Sequence, residues 1–376
     1  MWNKVVSRII EARSFLLRIT REKPFRTSVR SSRISESIIV RLKDDENTVG
    51  WGEGVPTHPY FAGETIENLT VVLEAMSRLA VGRNPSELGD TIRVIREPTP
   101  ESRSALAAMD IALHDLFAKK LGVPLNRLFG HTKDAIETDY TIGIETPQEA
   151  ASQARQKVAE GFKMIKLKVG TGVREDIERV KRVSNILGEA RLRVDANQAY
   201  SLKEAVEFCE FLSKVENLEF LEQPLPRGKT QETAALRKKT DVRIMLDEGV
   251  RDAGEAFTAL KAGAADYVNV KLMKCGGIAE ASKIVSVCEA NDVKCMVGCY
   301  SDNSIGIAAA THFALGHESV QFADLDSDLM ETKLLAKSGG AWIRDGSRGV
   351  GLSPGLGITD VDQSILTREL FVIKGS

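Results

Sequence analysis

MIKLKV (164–169), LRVDAN (192–197), EFLEQP (219–224) and RIMLDE (243–248) decide the fold: each is a short apolar run ending in charge, and each is followed by an amphipathic stretch. Outward from these four, the same unit precedes them at ETDYTIGI (137–144) and follows them at YVNVKL (267–272), VKCMVGC (293–299) and SVQFADLD (319–326). The starts fall 24 to 28 residues apart, room for a strand, one helix and two loops. Such alternation predicts a parallel sheet, and eight units predict an α/β protein built on a (β/α)8-type barrel. The intervening segments carry helix signals. PQEAASQARQKVAEG follows Thr146 as N-cap and stops at Gly161, and SLKEAVEFCEFLSKV is capped by Ser201.

Before residue 137 the pattern changes. VVSRIIEARSFLLRI, SESIIVRLKD and TVGWGEGV alternate polar and apolar residues like an antiparallel meander, and IENLTVVLEAMSRLAVG and SRSALAAMDIALHDLFAKKLG read as long helices. The division predicted is an α+β capping domain over 1–132, the barrel over 133–334, and a segment 335–376, with loop signals at KSGG and GLSPGLG, that returns to complete the cap.

The whole chain has 376 residues, with Lys+Arg 51 against Asp+Glu 53 and a net charge of −2. That balance argues against a nucleic acid or an anionic membrane as partner. Charge interrupts MWNKVVSRIIEARSFLLRI every few residues, so neither a signal peptide nor a span of about 20 apolar residues is predicted, and the expected location is cytoplasmic. The five cysteines (Cys209, Cys275, Cys288, Cys295, Cys299) are odd in number and form no CxxC, as reduced thiols do. Oligomeric state is not written in the sequence, and a homo-oligomer is kept as one option.

In a parallel barrel chemistry sits at the C-terminal strand ends. Asp195, Glu222 and Asp247 end three consecutive strands, where mutual repulsion and desolvation are costly without a cation. Three oxygen ligands without His or Cys favour Mg²⁺, with Mn²⁺ as the alternative. Lys166 and Lys168 lie two apart on a strand and share the inner side, with Leu167 facing the helices. Packing the two together is expected to depress one pKa and make a general base. Lys271 lies four strands away and so faces them. Two lysines on opposite sides of a substrate carbon can remove a proton from one face and return one to the other. Asp324 and Asp326 share a side, lie too far round to join the metal ligands, and call for a positive partner, either a substrate ammonium or a nearby Lys or Arg. The histidines form no spaced cluster, and His114 and His312 read as packing residues. Gly276-Gly277 reads as a tight turn after the sixth strand.

KLKVG (166–170), VDANQAY (194–200), EQP (222–224), LDEGV (246–250), NVKLMKCGGI (269–278) and DLD (324–326) occur in an order and spacing that resemble the enolase superfamily, muconate-lactonizing subgroup, and within it the dipeptide epimerases. The resemblance covers nearly the whole chain. It implies Asp195, Glu222 and Asp247 as Mg²⁺ ligands, Lys168 and Lys271 as the acid/base pair, and Lys166 as the support of Lys168. It also implies Asp324 and Asp326 as the pair holding a dipeptide ammonium, and a C-terminal residue epimerised through an enediolate. One departure is visible: GCYSDN (298–303) stands where GSMIET is expected, putting Asp302 near the substrate carboxylate. Thr141, on the first barrel strand, joins the substrate-binding candidates. KPFRTSVRSSRISES (23–37) matches a mobile loop over the barrel mouth, with Arg30 placed against a glutamate side chain. The function implied is epimerisation of a dipeptide, L-Ala-L-Glu first. The alternatives are a cycloisomerase, elimination enzyme or N-acyl amino acid racemase of the same superfamily, and a barrel that only binds peptide.

Overall fold

The computed structural model describes residues 7–28, 31–57 and 63–375. Eight parallel strands run Tyr140–Ile142, Met164–Lys168, Arg191–Asp195, Leu218–Glu222, Ile244–Leu246, Tyr267–Lys271, Lys294–Gly298 and Val320–Asp324. Each pairs with the next in chain order, and a parallel bridge from Thr138 to Ala323 brings the eighth back to the first. The result is a nearly closed barrel. The strands fall inside the eight stretches read from sequence or within one residue of them, and the charged residues at several of their ends project from the mouth.

The helices between strands follow local chemistry. Pro147–Ala159 and Leu202–Leu212 each begin with a reciprocal capping box, Thr146 with Glu149 and Ser201 with Glu204. Leu167, Val169 and Val194 face outward into a buried cluster with Val180 and Val183 of the helix Val173–Ser184 and Phe208 of Leu202–Leu212, which leaves Lys166 and Lys168 pointing inward. Beneath them the barrel is plugged by Phe220, Met245 and Met296, and by Arg193, whose guanidinium pairs with Asp139 at 2.8 Å and Glu219 at 2.7 Å. The site therefore stands on a solid floor.

The cap is a four-stranded antiparallel sheet in the order Leu366–Lys374, Ile9–Arg26, Ser31–Asp44, Val49–Gly54, covered by helices Ile66–Ala80, Leu88–Arg96 and Arg103–Leu121. In VGWGEG (49–54) the three glycines lie on one face of the strand, flat against the last helix. A Cβ on Gly50, Gly52 or Gly54 would come within 2.2, 1.9 or 2.7 Å of the carbonyl oxygens of Ala112, Ala108 or Ser104. The other face carries Trp51 and Glu53 toward the barrel.

Three readings change. The helix Leu88–Arg96 lies in a stretch given no structure from sequence, since it has no side-chain cap and buries only Thr91 and Ile95. Within the 23–37 segment, read as a loop, the described residues extend two paired strands: Phe25 pairs with Ser32 and Arg26 with Ser31, while the Arg26 carbonyl accepts from Ile144 N at 2.9 Å on the barrel mouth. The 335–376 segment divides. Ala341–Arg344 and Ser347–Val350 join Ala135–Glu137 beside the barrel, Gly355 and Leu356 bond to Val123, Leu125 and Asp115 of the cap, and Leu366–Lys374 joins the cap sheet. The turn at Gly276-Gly277 is tight as read, with φ of 90° and 102°, and its second glycine lies against Asp110, which caps the following helix through Ile278 N.

Candidate active site

Inside the mouth, Lys166 is fully buried and bridges three carboxylates, with Nζ at 3.1 Å from Asp195, 2.7 Å from Glu222 and 2.7 Å from Asp324. Lys168 lies 2.5 Å from the same Asp195 oxygen. Across the barrel Lys271 meets Asp247 at 2.8 Å, and Lys274, from the following helical turn, holds the other Asp247 oxygen at 2.7 Å. Glu222 also accepts from Asn269 Nδ2 at 2.9 Å, and Asp195 from Asn197 N at 2.9 Å.

Sharp strand exits aim these groups. Asn197, Gln198 and Gln223 all have positive φ (41°, 70° and 37°), a conformation that non-glycine residues rarely hold outside functional turns. Gln223 Oε1 accepts from Asp247 N at 2.9 Å and Gly249 N at 3.0 Å, tying the fifth strand's exit to the fourth's.

Burial and charge compete at each carboxylate. Burial works to raise Asp195, but Lys168 and Lys166 outweigh it and hold it below its ordinary value; Lys271 and Lys274 do the same for Asp247. Glu222 is raised, first by burial and then by Asp195. Burial with Asp247 and Asp195 pushes Glu248 up to about 8. At Lys166 the shift runs opposite to the expected depression. Burial opposes the charge on Lys166, yet Asp324, Glu222 and Asp195 raise it well above its ordinary value, and Asp247 does so for Lys271. Lys166 has three carboxylates as near neighbours, and these outweigh any repulsion from Lys168.

Asp324 and Asp326 stand on the rim beside Thr141, whose N donates to Asp326 at 2.5 Å and whose Oγ1 donates to Asp324 at 3.2 Å. Asp324 is linked through Lys166 to Asp195 and Glu222, though not to Asp247. Its positive partner is that lysine, which keeps it low against burial, while burial and Asp324 push Asp326 up to about 7.

Among the described residues the three potential ligand atoms lying within 4.8 Å of one another are those of Cys299, Asp324 and Asp326, not Asp195, Glu222 and Asp247. Of the latter three, Asp195 and Glu222 share Lys166, while Asp247 is held apart by Lys271 and Lys274. Their chemistry nonetheless suits a hard divalent ion better: all are carboxylates, Glu222 Oε2 and Asp247 Oδ2 are buried without a well-formed hydrogen bond, and Asn197 Oδ1 and Glu248 Oε2 beside them are also unpaired. Cys299 is a poor ligand, since burial and then Asp324 and Asp326 keep its thiol protonated.

Lys168 and Lys271 line one cleft whose other walls include Arg21, Phe25, Val55 and Pro56 from the cap and Tyr300 and Ser301 from the barrel. Lys168 and Lys271 also border the adjoining recess that holds Thr141, Asp324 and Asp326. Asp302 is elsewhere. It is buried behind the loop, accepting from Tyr300 N at 3.3 Å and packed on Gly306, and is not among the residues lining the cleft or its adjoining recess. Arg30 lies outside the described residues, as does His58. His114 and His312 are packing residues, bonded to the Asp110 carbonyl and Asn126 N.

Several contributors were not read from sequence. Lys274 and Asn269 sit within NVKLMKCGGI and carried a signal in their motif. Glu53, from GWGEG, accepts from Asn303 N at 2.9 Å and Gly306 N at 2.8 Å and so fixes the loop behind Tyr300, a contact across 250 residues that no local pattern announces.

Residues 9–130 match the family described as mandelate racemase / muconate lactonizing enzyme, N-terminal domain, and residues 149–364 match the enolase C-terminal domain-like family. The chain belongs to the mandelate racemase/muconate lactonizing enzyme family. Within it, the chain is 38% identical to the hydrophobic dipeptide epimerase of Enterococcus faecalis, over 78% of this chain and 83% of that one. It is 34% identical to the L-Ala-D/L-Glu epimerase of Bacillus subtilis, over 93% and 96%. The structure of the dipeptide epimerase from Enterococcus faecalis V583, complexed with Mg and the dipeptide L-Leu-L-Tyr, superposes with a TM-score of 0.91 at 34% identity, covering 94% of this chain and all of that one.

Proposed function

We propose that this chain is an isomerase, a Mg²⁺-dependent dipeptide epimerase acting at the α-carbon of the C-terminal residue. The observation that carries the reading is the pair Lys168 and Lys271, which enter one cleft from barrel strands two and six, on opposite sides of the ring. A substrate α-carbon between them is exposed to a base on either face. One lysine takes the α-proton, and the other returns a proton from the opposite side. Lys166 holds Asp195, Glu222 and Asp324 in fixed relation to Lys168. Asp195, Glu222 and Asp247 would hold the metal. When bound it supplies the positive charge that offsets the enediolate formed as the α-proton leaves. Asp326 with Asp324 meets the dipeptide ammonium, whose charge complements a carboxyl pair on the rim. The cap hairpin covers the mouth and excludes water.

For the second residue of the dipeptide, L-Ala-L-Glu is the first choice, resting on Arg30. A second reading is favoured by Phe25, Val55 and Pro56 on the cleft wall, which suit an apolar side chain. A cytoplasmic location fits the five buried, unpaired cysteines. A library of L,L-dipeptides incubated in D₂O with Mg²⁺ and read by mass spectrometry tests the reading. Deuterium at the C-terminal α-carbon with inversion supports it; loss of substrate to an elimination product, or no exchange at all, contradicts it.

A further inference from the structure

The two lysines are held differently. Lys168 is fixed by Asp195, to which it donates at 2.5 Å. Lys271 has Asp247 on one side and, on the other, the face of Tyr300, whose ring centroid lies 4.9 Å from Nζ. The path of the Lys271 stem explains why that ring is within reach. Lys271 is in register with Gly298 on the seventh strand, and a Cβ there would lie 2.9 Å from Lys271 Cε and 2.7 Å from Asn269 Oδ1. Only a glycine lets the lysine cross its neighbour strand so closely, and two residues further along that strand the chain turns back with Tyr300 over the ammonium. The loop carrying the ring is itself anchored: Ser35 Oγ donates to Ser301 O at 3.2 Å, Ser327 Oγ donates to Asp302 O at 2.7 Å, and Glu53 holds the helix start behind it.

We infer that Tyr300 is a positioning residue for Lys271 alone, a one-sided device that sets proton transfer on one face of the substrate carbon and not on the other. Asp247 is a candidate metal ligand, so an ammonium that depends on it for direction loses that partner's undivided charge when the carboxylate is shared; the ring is a neutral neighbour that does not compete for it. A cation held against an aromatic face keeps a preferred position without a formal counter-charge; that position is set in the ammonium form from which the amine base is generated, and an acid or base displaced by about an ångström loses much of its effect.

This inference rests on the epimerase reading and is tested by a ratio. Initial loss of the α-proton in D₂O is followed by proton NMR for L-Ala-L-Glu and, separately, L-Ala-D-Glu, with L-Leu-L-Tyr and L-Leu-D-Tyr as a second pair. Lys271→Ala first establishes which antipode Lys271 serves. Tyr300→Leu is then expected to slow exchange of that antipode about tenfold relative to the other, while Tyr300→Phe, which keeps the ring, retains the ratio of the unaltered protein. Both rates are taken on one preparation of each variant, so a partly unfolded preparation lowers them together and leaves the ratio intact. An unchanged ratio in Tyr300→Leu, a relative gain at the Lys271 antipode, or an equal change in Tyr300→Phe would overturn the inference while the epimerase reading stands. Exchange by the unaltered protein with neither pair would overturn the epimerase reading for these substrates and the inference with it.

Discussion

Lys166 touches Asp195, Glu222 and Asp324 at once, and so couples the candidate metal ligands to the rim that meets the substrate ammonium. Asp326 is the free-facing member of that rim, bonded to Thr141 and bordering the recess beside both lysines. Asp326→Asn should therefore raise KM for a dipeptide by roughly tenfold to a hundredfold with a smaller change in kcat, the loss of one charge-assisted contact; steady-state kinetics on L-Ala-L-Glu would show it, and an unchanged KM would remove Asp326 from ammonium binding. Much at this scale was legible in the sequence, because a lysine or carboxylate that ends a short apolar run has its side fixed by strand alternation. Asp302 and Tyr300 were not. GCYSDN leaves the strand after Gly298, alternation stops, and nothing local tells that the tyrosine turns to the cleft and the aspartate away from it.

The strand Val49–Gly54 joins cap chemistry to barrel geometry: its glycines seat it on the helix Arg103–Leu121, and its Glu53 grips the start of the helix Ser304–Gly316. Gly52→Ala would force a methyl into the Ala108 carbonyl at 1.9 Å, and the separation needed should cost about 2 kcal/mol or more of stability in urea unfolding, with turnover falling as Glu53 shifts. The same junction buries Asp302, pushed up to about 8 by burial and then by Glu53 from an ordinary 3.8. A carboxyl that ionises later in the folded state contributes stability fully below about pH 4 and loses it as pH rises toward 8. Asp302→Asn removes that loss, so its melting temperature should gain on that of the unaltered protein between pH 5 and pH 9; a constant difference across that range would mean that Asp302 ionises freely. Strong caps made the barrel helices readable, as at Thr146 and Ser201, whereas Leu88–Arg96, uncapped and buried at two positions, left no comparable mark.

Across the whole molecule, the barrel supplies the reacting groups and the cap closes over them, with the hairpin Ile9–Arg26/Ser31–Asp44 reaching the mouth through Arg26 and Ser28. The barrel was readable because its unit repeats eight times, and the return of the tail to the cap because loop signals and short strands are too little for a domain of their own. The 341–350 hairpin beside the barrel was hidden, since short strands in a glycine-rich tail name no partner. None of the described helices is long and apolar enough to cross a membrane. If Asp195, Glu222 and Asp247 hold Mg²⁺, saturating Mg²⁺ at a hundred times its Kd should stabilise the chelated protein by about 2.7 kcal/mol. The thermal shift should vanish in Asp195→Asn, and an equal shift there would place the ion elsewhere. The account as a whole turns on two bases acting on two faces of one carbon. Lys168→Ala and Lys271→Ala, each incubated in D₂O with both antipodes of the dipeptide and followed by proton NMR, test it most directly. Each variant should lose net epimerisation by about a thousandfold or more and still exchange one antipode, a different one in each. Epimerisation at the parental rate by either variant, or exchange of the same antipode by both, would contradict it.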